Sequence, residues 1–106
     1  LKELSDRYNV IMLYVSDHGE SLGENGIYLH AAPYMIAPEE QTRIPMLVWL
    51  DPDNADALRI DRECLRKKTA GSWSHDNVFH TLLGLGGIKT SVYNPALDLI
   101  SGCRKK

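Results

Sequence analysis

Two uninterrupted apolar runs, Val10-Ile11-Met12-Leu13-Tyr14-Val15 and Ile44-Pro45-Met46-Leu47-Val48-Trp49-Leu50, constrain this chain more than any other feature. Polar residues flank both runs, which suits strands buried on both faces of a sheet; a strand with one wet face would alternate. Pro45 falls near the start of the second run, where a missing amide donor is tolerated. Helical segments lie around them, so the predicted fold class is α/β, a mixed sheet flanked by helices. In such folds the chemistry collects where strands end and loops begin.

Residues 1–8 read as the last turns of a helix that leads through Asn9 into the first strand. Asp51-Pro52-Asp53-Asn54 reads as a turn closing the second strand. A helix is predicted over 56–69, with Leu58 and Leu65 inward, its basic residues outward and Gly71 closing it. Ser74 can cap a further helix whose Val78, Phe79, Leu82, Leu83 and Leu85 form an apolar face, stopped by Gly86-Gly87. Trp49 and Trp73 read as core or partly buried packing, and the tail from Ile88 is weakly patterned.

At 106 residues the chain has room for one core, and 43% hydrophobic with 25% charged residues excludes disorder as a default. A net charge of -2 gives no electrostatic case for nucleic acid. The basic groups at Arg62, Arg66, Lys67 and Lys68, and at Arg104, Lys105 and Lys106, read as solvated faces. No apolar run approaches the roughly 18 residues that cross a bilayer. The opening has neither Met nor cap, so residues 1–106 read as the C-terminal portion of a longer protein.

The chemistry begins where the first run ends. Asp17-His18-Gly19-Glu20-Ser21-Leu22-Gly23-Glu24-Asn25-Gly26 places a carboxylate beside an imidazole, with two more acids and His30 following in a glycine-broken loop. Hard oxygen and borderline nitrogen ligands together suit a divalent metal, zinc above all. Neighbouring strand residues face opposite ways, so Asp17 and His18 can share an ion only if the chain turns, and Gly19 supplies that freedom. The connection over 16–43 is long enough to read as functional rather than filler. Cys64 and Cys103 fit no CxxC motif; they are a disulfide in an oxidising compartment or two unrelated thiols in the cytosol.

Ser16 through Gly26, Tyr28-Leu29-His30, Ala37-Pro38-Glu39-Glu40-Gln41 before Ile44-Pro45-Met46, and Ser74 through Leu85 together closely resemble the C-terminal region of lipid A phosphoethanolamine transferases. These belong to the sulfatase-like branch of the alkaline phosphatase superfamily. The resemblance implies zinc (Zn2+) ligation by Asp17 and His18, and a substrate-side place for His30 on the phosphate group or a second zinc; Glu20 and Glu24 read as acceptors holding the loop and its histidines from behind, with further ligands as the alternative. His75 and His80, at the start and middle of the predicted helix, read as structural residues. The resemblance further implies transfer of phosphoethanolamine from phosphatidylethanolamine to lipid A through a covalent threonine. None of Thr42, Thr69, Thr81 and Thr90 matches that nucleophile, which lies upstream in the family, so this portion alone is expected to be inactive. The implied place is the periplasmic face of a bacterial inner membrane, with membrane helices in the N-terminal portion, and there the Cys64–Cys103 disulfide is expected. The rival readings are a transferase acting on lipopolysaccharide core or a glucan, a phosphoglycerol transferase, a sulfatase, or a non-enzymatic decayed fragment. Tyr34-Met35-Ile36 is apolar within the loop, and acyl-chain contact competes there with burial against the core.

Overall fold

The computed structural model describes residues 1–105, so Lys106 of the second basic group lies outside the described residues. In order, the elements are α1 (Lys2–Ser5), β1 (Ile11–Val15), β2 (Ser21–Leu22), β3 (Tyr28–Leu29), α2 (Glu39–Thr42), β4 (Met46–Leu50), α3 (Pro52–Ala57), α4 (Arg62–Lys67) and α5 (Asp76–Leu85). Helices and strands mix as the α/β reading predicts. The chain forms two compact units, Met12–Trp49 on one hand and Leu1–Ile11 with Leu50–Lys106 on the other.

Both apolar runs form strands, and β1 pairs with β4. Neither strand is closed over on both faces: Tyr14 and Leu47 are about half exposed. The reason is that the sheet has two strands among the described residues. β2 and β3 make a separate antiparallel pair, with Ser21 opposite Leu29 and Leu22 opposite Tyr28. This hairpin lies inside the segment predicted as loop. Strands of two residues carry no periodicity, so hydropathy cannot show them.

The predicted turn at 51–54 is instead the start of α3. Asp51 caps it by accepting from the Asp53 amide at 3.0 Å, and Pro52 stands in the first turn, where its missing N–H costs nothing. The single helix predicted over 56–69 is two. Arg59 takes a left-handed φ of 57°, and Asp61 then caps α4 by accepting from the Cys64 amide at 3.0 Å. Ile60, caught between the helices, is buried and bridges antiparallel to Arg104. A 3₁₀ turn over Lys68–Ala70 follows α4 and ends at Gly71.

The face predicted for α5 is also corrected in part. Phe79 and Leu82 are each 53% exposed, whereas Asn77 and Thr81 are buried. Both polar side chains bond the weakly patterned tail: Asn77 donates to the Leu97 carbonyl at 2.9 Å and Thr81 Oγ1 accepts from the Leu99 amide at 3.0 Å. Ser74 does serve the helix start, accepting from the Asp76 amide at 3.3 Å. Leu99, Ile100 and Cys103 of the tail join Ala55 and Ile60 as the buried apolar core. Cys64 and Cys103 form a disulfide, with Cα atoms 5.4 Å apart. Among the described residues, no helix is long and apolar enough to cross a membrane.

Candidate functional site

β1 ends at Val15, and the chain turns at once. The Ser16 hydroxyl donates to the His18 carbonyl at 2.8 Å, and the Asp17 carboxylate accepts from the His18 amide at 3.1 Å. Gly19 is required here for space rather than for a left-handed φ: a Cβ on it would collide with the Glu40 carbonyl. Its amide donates to the Gln41 carbonyl at 3.0 Å, so the chain bearing His18 lies directly against the start of α2.

The His18 ring nitrogen Nδ1 lies 2.9 Å from the Gly19 carbonyl. A carbonyl only accepts, so Nδ1 carries a proton, and in the neutral ring Nε2 keeps its lone pair. That Nε2 stands 3.9 Å from the Asp17 carboxylate oxygen. Two ligands at zinc bonding distance in tetrahedral geometry are on the order of 3.3 Å apart, so a small closure lets this pair share one ion. His30 stacks on His18 with ring centroids 4.0 Å apart, and its Nδ1 lies 3.1 Å from Glu20. His18, Glu20 and His30 each offer a ligand atom within 4.8 Å of the others. Asp17 is outside that trio and meets His18 alone.

The donor set of two imidazoles with carboxylates is one that zinc accepts. Glu20 holds His30 by its Nδ1, the usual contact of a carboxylate behind a metal-site histidine. Glu24 does not reach either histidine in this way. It accepts from the Leu22 amide at 2.7 Å, and the backbone amides of Glu24, Leu22 and Gly23 hold its carboxyl below the ordinary carboxylate range. Charge reinforces the pattern. From Tyr8 to Thr42 there is no Lys or Arg, against five acids: Asp17, Glu20, Glu24, Glu39 and Glu40.

The other singled-out side chains have structural partners. His80 belongs to the other unit, where its Nδ1 accepts from the Asn94 amide at 3.1 Å, and His75 stands at the start of α5. The Thr42 and Thr69 hydroxyls donate to the carbonyls of Glu39 and Arg66 at 3.2 and 2.8 Å. Thr81 is fully buried on the Leu99 amide, and Thr90 accepts from the Val92 amide at 3.5 Å. Trp73 donates to the Lys68 carbonyl at 2.7 Å and Trp49 is half-buried. Tyr34, Met35 and Ile36 are 86%, 97% and 63% exposed, so no described residue buries them.

Gln41 is the residue that sequence reasoning missed. It is 7% exposed, and its side chain bonds three separate backbone or side-chain atoms of the loop. Its only signal in the sequence is its place in the Ala37–Gln41 stretch, which says nothing of its bonds.

The whole chain has close relatives. Phosphoethanolamine transferase EptA of Escherichia coli strain K12 is 49% identical over 106 residues, which cover 99% of this chain and 19% of that protein. The chain therefore spans about a fifth of the length of the curated relatives it matches. The soluble domain of lipooligosaccharide phosphoethanolamine transferase A from Neisseria meningitidis superposes with a TM-score of 0.90 at 44% identity, covering 99% of this chain and 33% of that one. The integral membrane form of the same Neisseria enzyme gives a TM-score of 0.88 at 43% identity, covering 99% of this chain and 21% of that one. The sulfatase family model matches residues 1–88, which include β1 to β4, the whole histidine loop and α5, and so the chain belongs to the sulfatase family.

Proposed function

We propose that this chain is the zinc-ligating C-terminal part of the catalytic domain of a phosphoethanolamine transferase. The donor is phosphatidylethanolamine and the acceptor lipid A. The observation that carries the reading is the orientation of His18: Nδ1 is fixed by the Gly19 carbonyl, and Nε2 is left facing Asp17 at 3.9 Å, with His30 stacked 4.0 Å away. The names of the relatives support the transferred group, and that of the Neisseria enzyme supports a lipid-linked saccharide as acceptor.

Zinc, when bound, would lower the pKa of a coordinated hydroxyl and offset negative charge on phosphoryl oxygens. Asp17 and His18 are the residues that would hold it. Glu20 fixes the His30 ring through Nδ1, so His30 presents Nε2 to the phosphoryl group from the neighbouring position. The Tyr8–Thr42 segment has no Lys or Arg, so it has no permanent cation of its own to offset phosphoryl charge. That lack favours a metal in this role. The nucleophile, a threonine in this reading, comes from a part of the protein beyond these 106 residues, and the covalent relay passes through it. The Cys64–Cys103 bridge suits an oxidising compartment, which supports the periplasmic face of the inner membrane.

The test is a mass spectrum of lipid A from cells expressing the full-length protein, beside its His18→Ala version. Phosphoethanolamine-bearing lipid A with the parent and none with the variant is the expected result. Unmodified lipid A in both, with both proteins present at equal level, would refute lipid A as acceptor and direct the search to the lipopolysaccharide core.

A further inference from the structure

His30 sits between two residues in left-handed conformation, neither of them glycine: Leu29 at φ 67° and Ala31 at φ 69°. A side chain at positive φ is disfavoured, and two such residues around one histidine persist only where surroundings over-determine them. One side chain spans this kink. Gln41 Nε2 donates to the Leu29 carbonyl at 3.1 Å, before His30, and Gln41 Oε1 accepts from the Ala32 amide at 3.1 Å, after it. The second Nε2 hydrogen goes to the Ser21 hydroxyl at 2.9 Å, on the strand that follows Glu20. The Gln41 backbone carbonyl takes the Gly19 amide, next to His18, at 3.0 Å.

We propose that Gln41 is a positioning residue that holds His30 and Glu20 in register with His18. Its amide acts as a one-residue strand partner for the kinked segment, satisfying the carbonyl and amide that the left-handed turns take out of the β2–β3 ladder. The site is 43–48% exposed at the side chains of His18, Glu20 and His30, so tight packing does not fix the histidine loop. A buried amide with all its bonds made does so instead. No other residue type matches this demand. Glutamate has the length but no donor for the Leu29 carbonyl, and alanine leaves the Leu29 carbonyl and the Ala32 amide unpaired.

The effect on catalysis rests on the transferase reading, whereas the effect on the loop does not, and the experiment separates them. Gln41→Ala and Gln41→Glu are made in the full-length protein, with Asn77→Ala as a control that removes another buried amide from the other unit. Amide hydrogen exchange over residues 29–32 should quicken by at least about tenfold in Gln41→Ala and by less in Gln41→Glu, with exchange elsewhere unchanged. Asn77→Ala should leave residues 29–32 as in the parent. Zinc retained after dialysis should fall in both Gln41 variants and not in the control, and turnover on phosphatidylethanolamine vesicles should fall with it. Unchanged protection at 29–32 in both Gln41 variants would overturn the proposal. So would an equal rise in Asn77→Ala, loss of protection across the whole chain in both variants, or lost turnover with the loop unmoved. A parent without transfer activity would refute the transferase reading alone, and exchange and zinc retention would still decide the role of Gln41.

Discussion

His18 owes its role to the atom at the back of its ring. With Nδ1 committed to the Gly19 carbonyl, Nε2 is the atom that the neutral ring leaves for the proposed metal. Gly19 contributes through the carbonyl it offers and through the side chain it lacks, since the Glu40 backbone fills that space. Glu24 shows a third kind of contribution. Its carboxylate gathers the amides of Glu24, Leu22 and Gly23 at the end of β2, and its pKa is lowered from the ordinary 4.5. A depressed folded pKa means that this support is present above pH 4.5 and is lost as pH falls through the lower, folded value. Glu24→Gln should therefore flatten the acid dependence of Leu22 amide exchange, corrected for intrinsic rate, below pH 4.5. The idea fails if the variant and the parent show the same steepness over that range. The sequence points to Asp17, His18 and His30 as candidates because the chemistry proposed for them is in their side chains. It does not point to Gln41, because the meaning of that residue lies in partners 9, 12 and 20 residues away.

Elements were legible where one continuous property marked them. The runs that became β1 and β4 are unbroken and apolar, so both strands were found within a residue or two of their ends. The helix over 56–69 was drawn through Asp61, a residue that caps better than it propagates, and the chain broke there. The predicted α5 face holds in part: Val78, Leu83 and Leu85 are half-buried, while Phe79 and Leu82 are exposed and the polar Asn77 and Thr81 take the buried places. Hydropathy knows nothing of a tail whose carbonyls and amides need partners. That tail is held by α5 on one side and by the Cys64–Cys103 bridge on the other. Closing a loop of 39 residues should contribute about 2–4 kcal/mol to stability. The double variant Cys64→Ala, Cys103→Ala should unfold at correspondingly lower denaturant, with exchange rising first in residues 99–105. An unchanged midpoint, with or without reductant, would count against the bridge as a stabilising element.

Over the molecule as a whole, charge is partitioned along the chain. Leaving aside Lys2, Arg7 and Arg43, every Lys and Arg lies at or beyond Arg59, whereas the site segment is purely acidic. The same segment carries the exposed apolar tip Tyr34-Met35-Ile36, directly after the histidine that faces substrate in the proposed reaction. If acyl chains of a lipid donor rest on this tip, Met35→Ser with Ile36→Ser in the full-length protein should lower turnover on vesicle-borne phosphatidylethanolamine severalfold. Stability should then move by no more than about 0.5 kcal/mol, as for other exposed positions. A collapse of stability instead would place the tip against the rest of the protein. The gap in basic residues also sets where proteases can cut. Trypsin has no target between Arg7 and Arg43, so a cut inside that stretch is never tryptic. Chymotrypsin is offered Leu22, Tyr28, Leu29 and Tyr34 on the surface of the histidine loop, alongside Tyr8 ahead of β1 and Phe79 and Leu82 in α5. A chymotryptic cut at the histidine loop can thus be read as loosening there with no tryptic background.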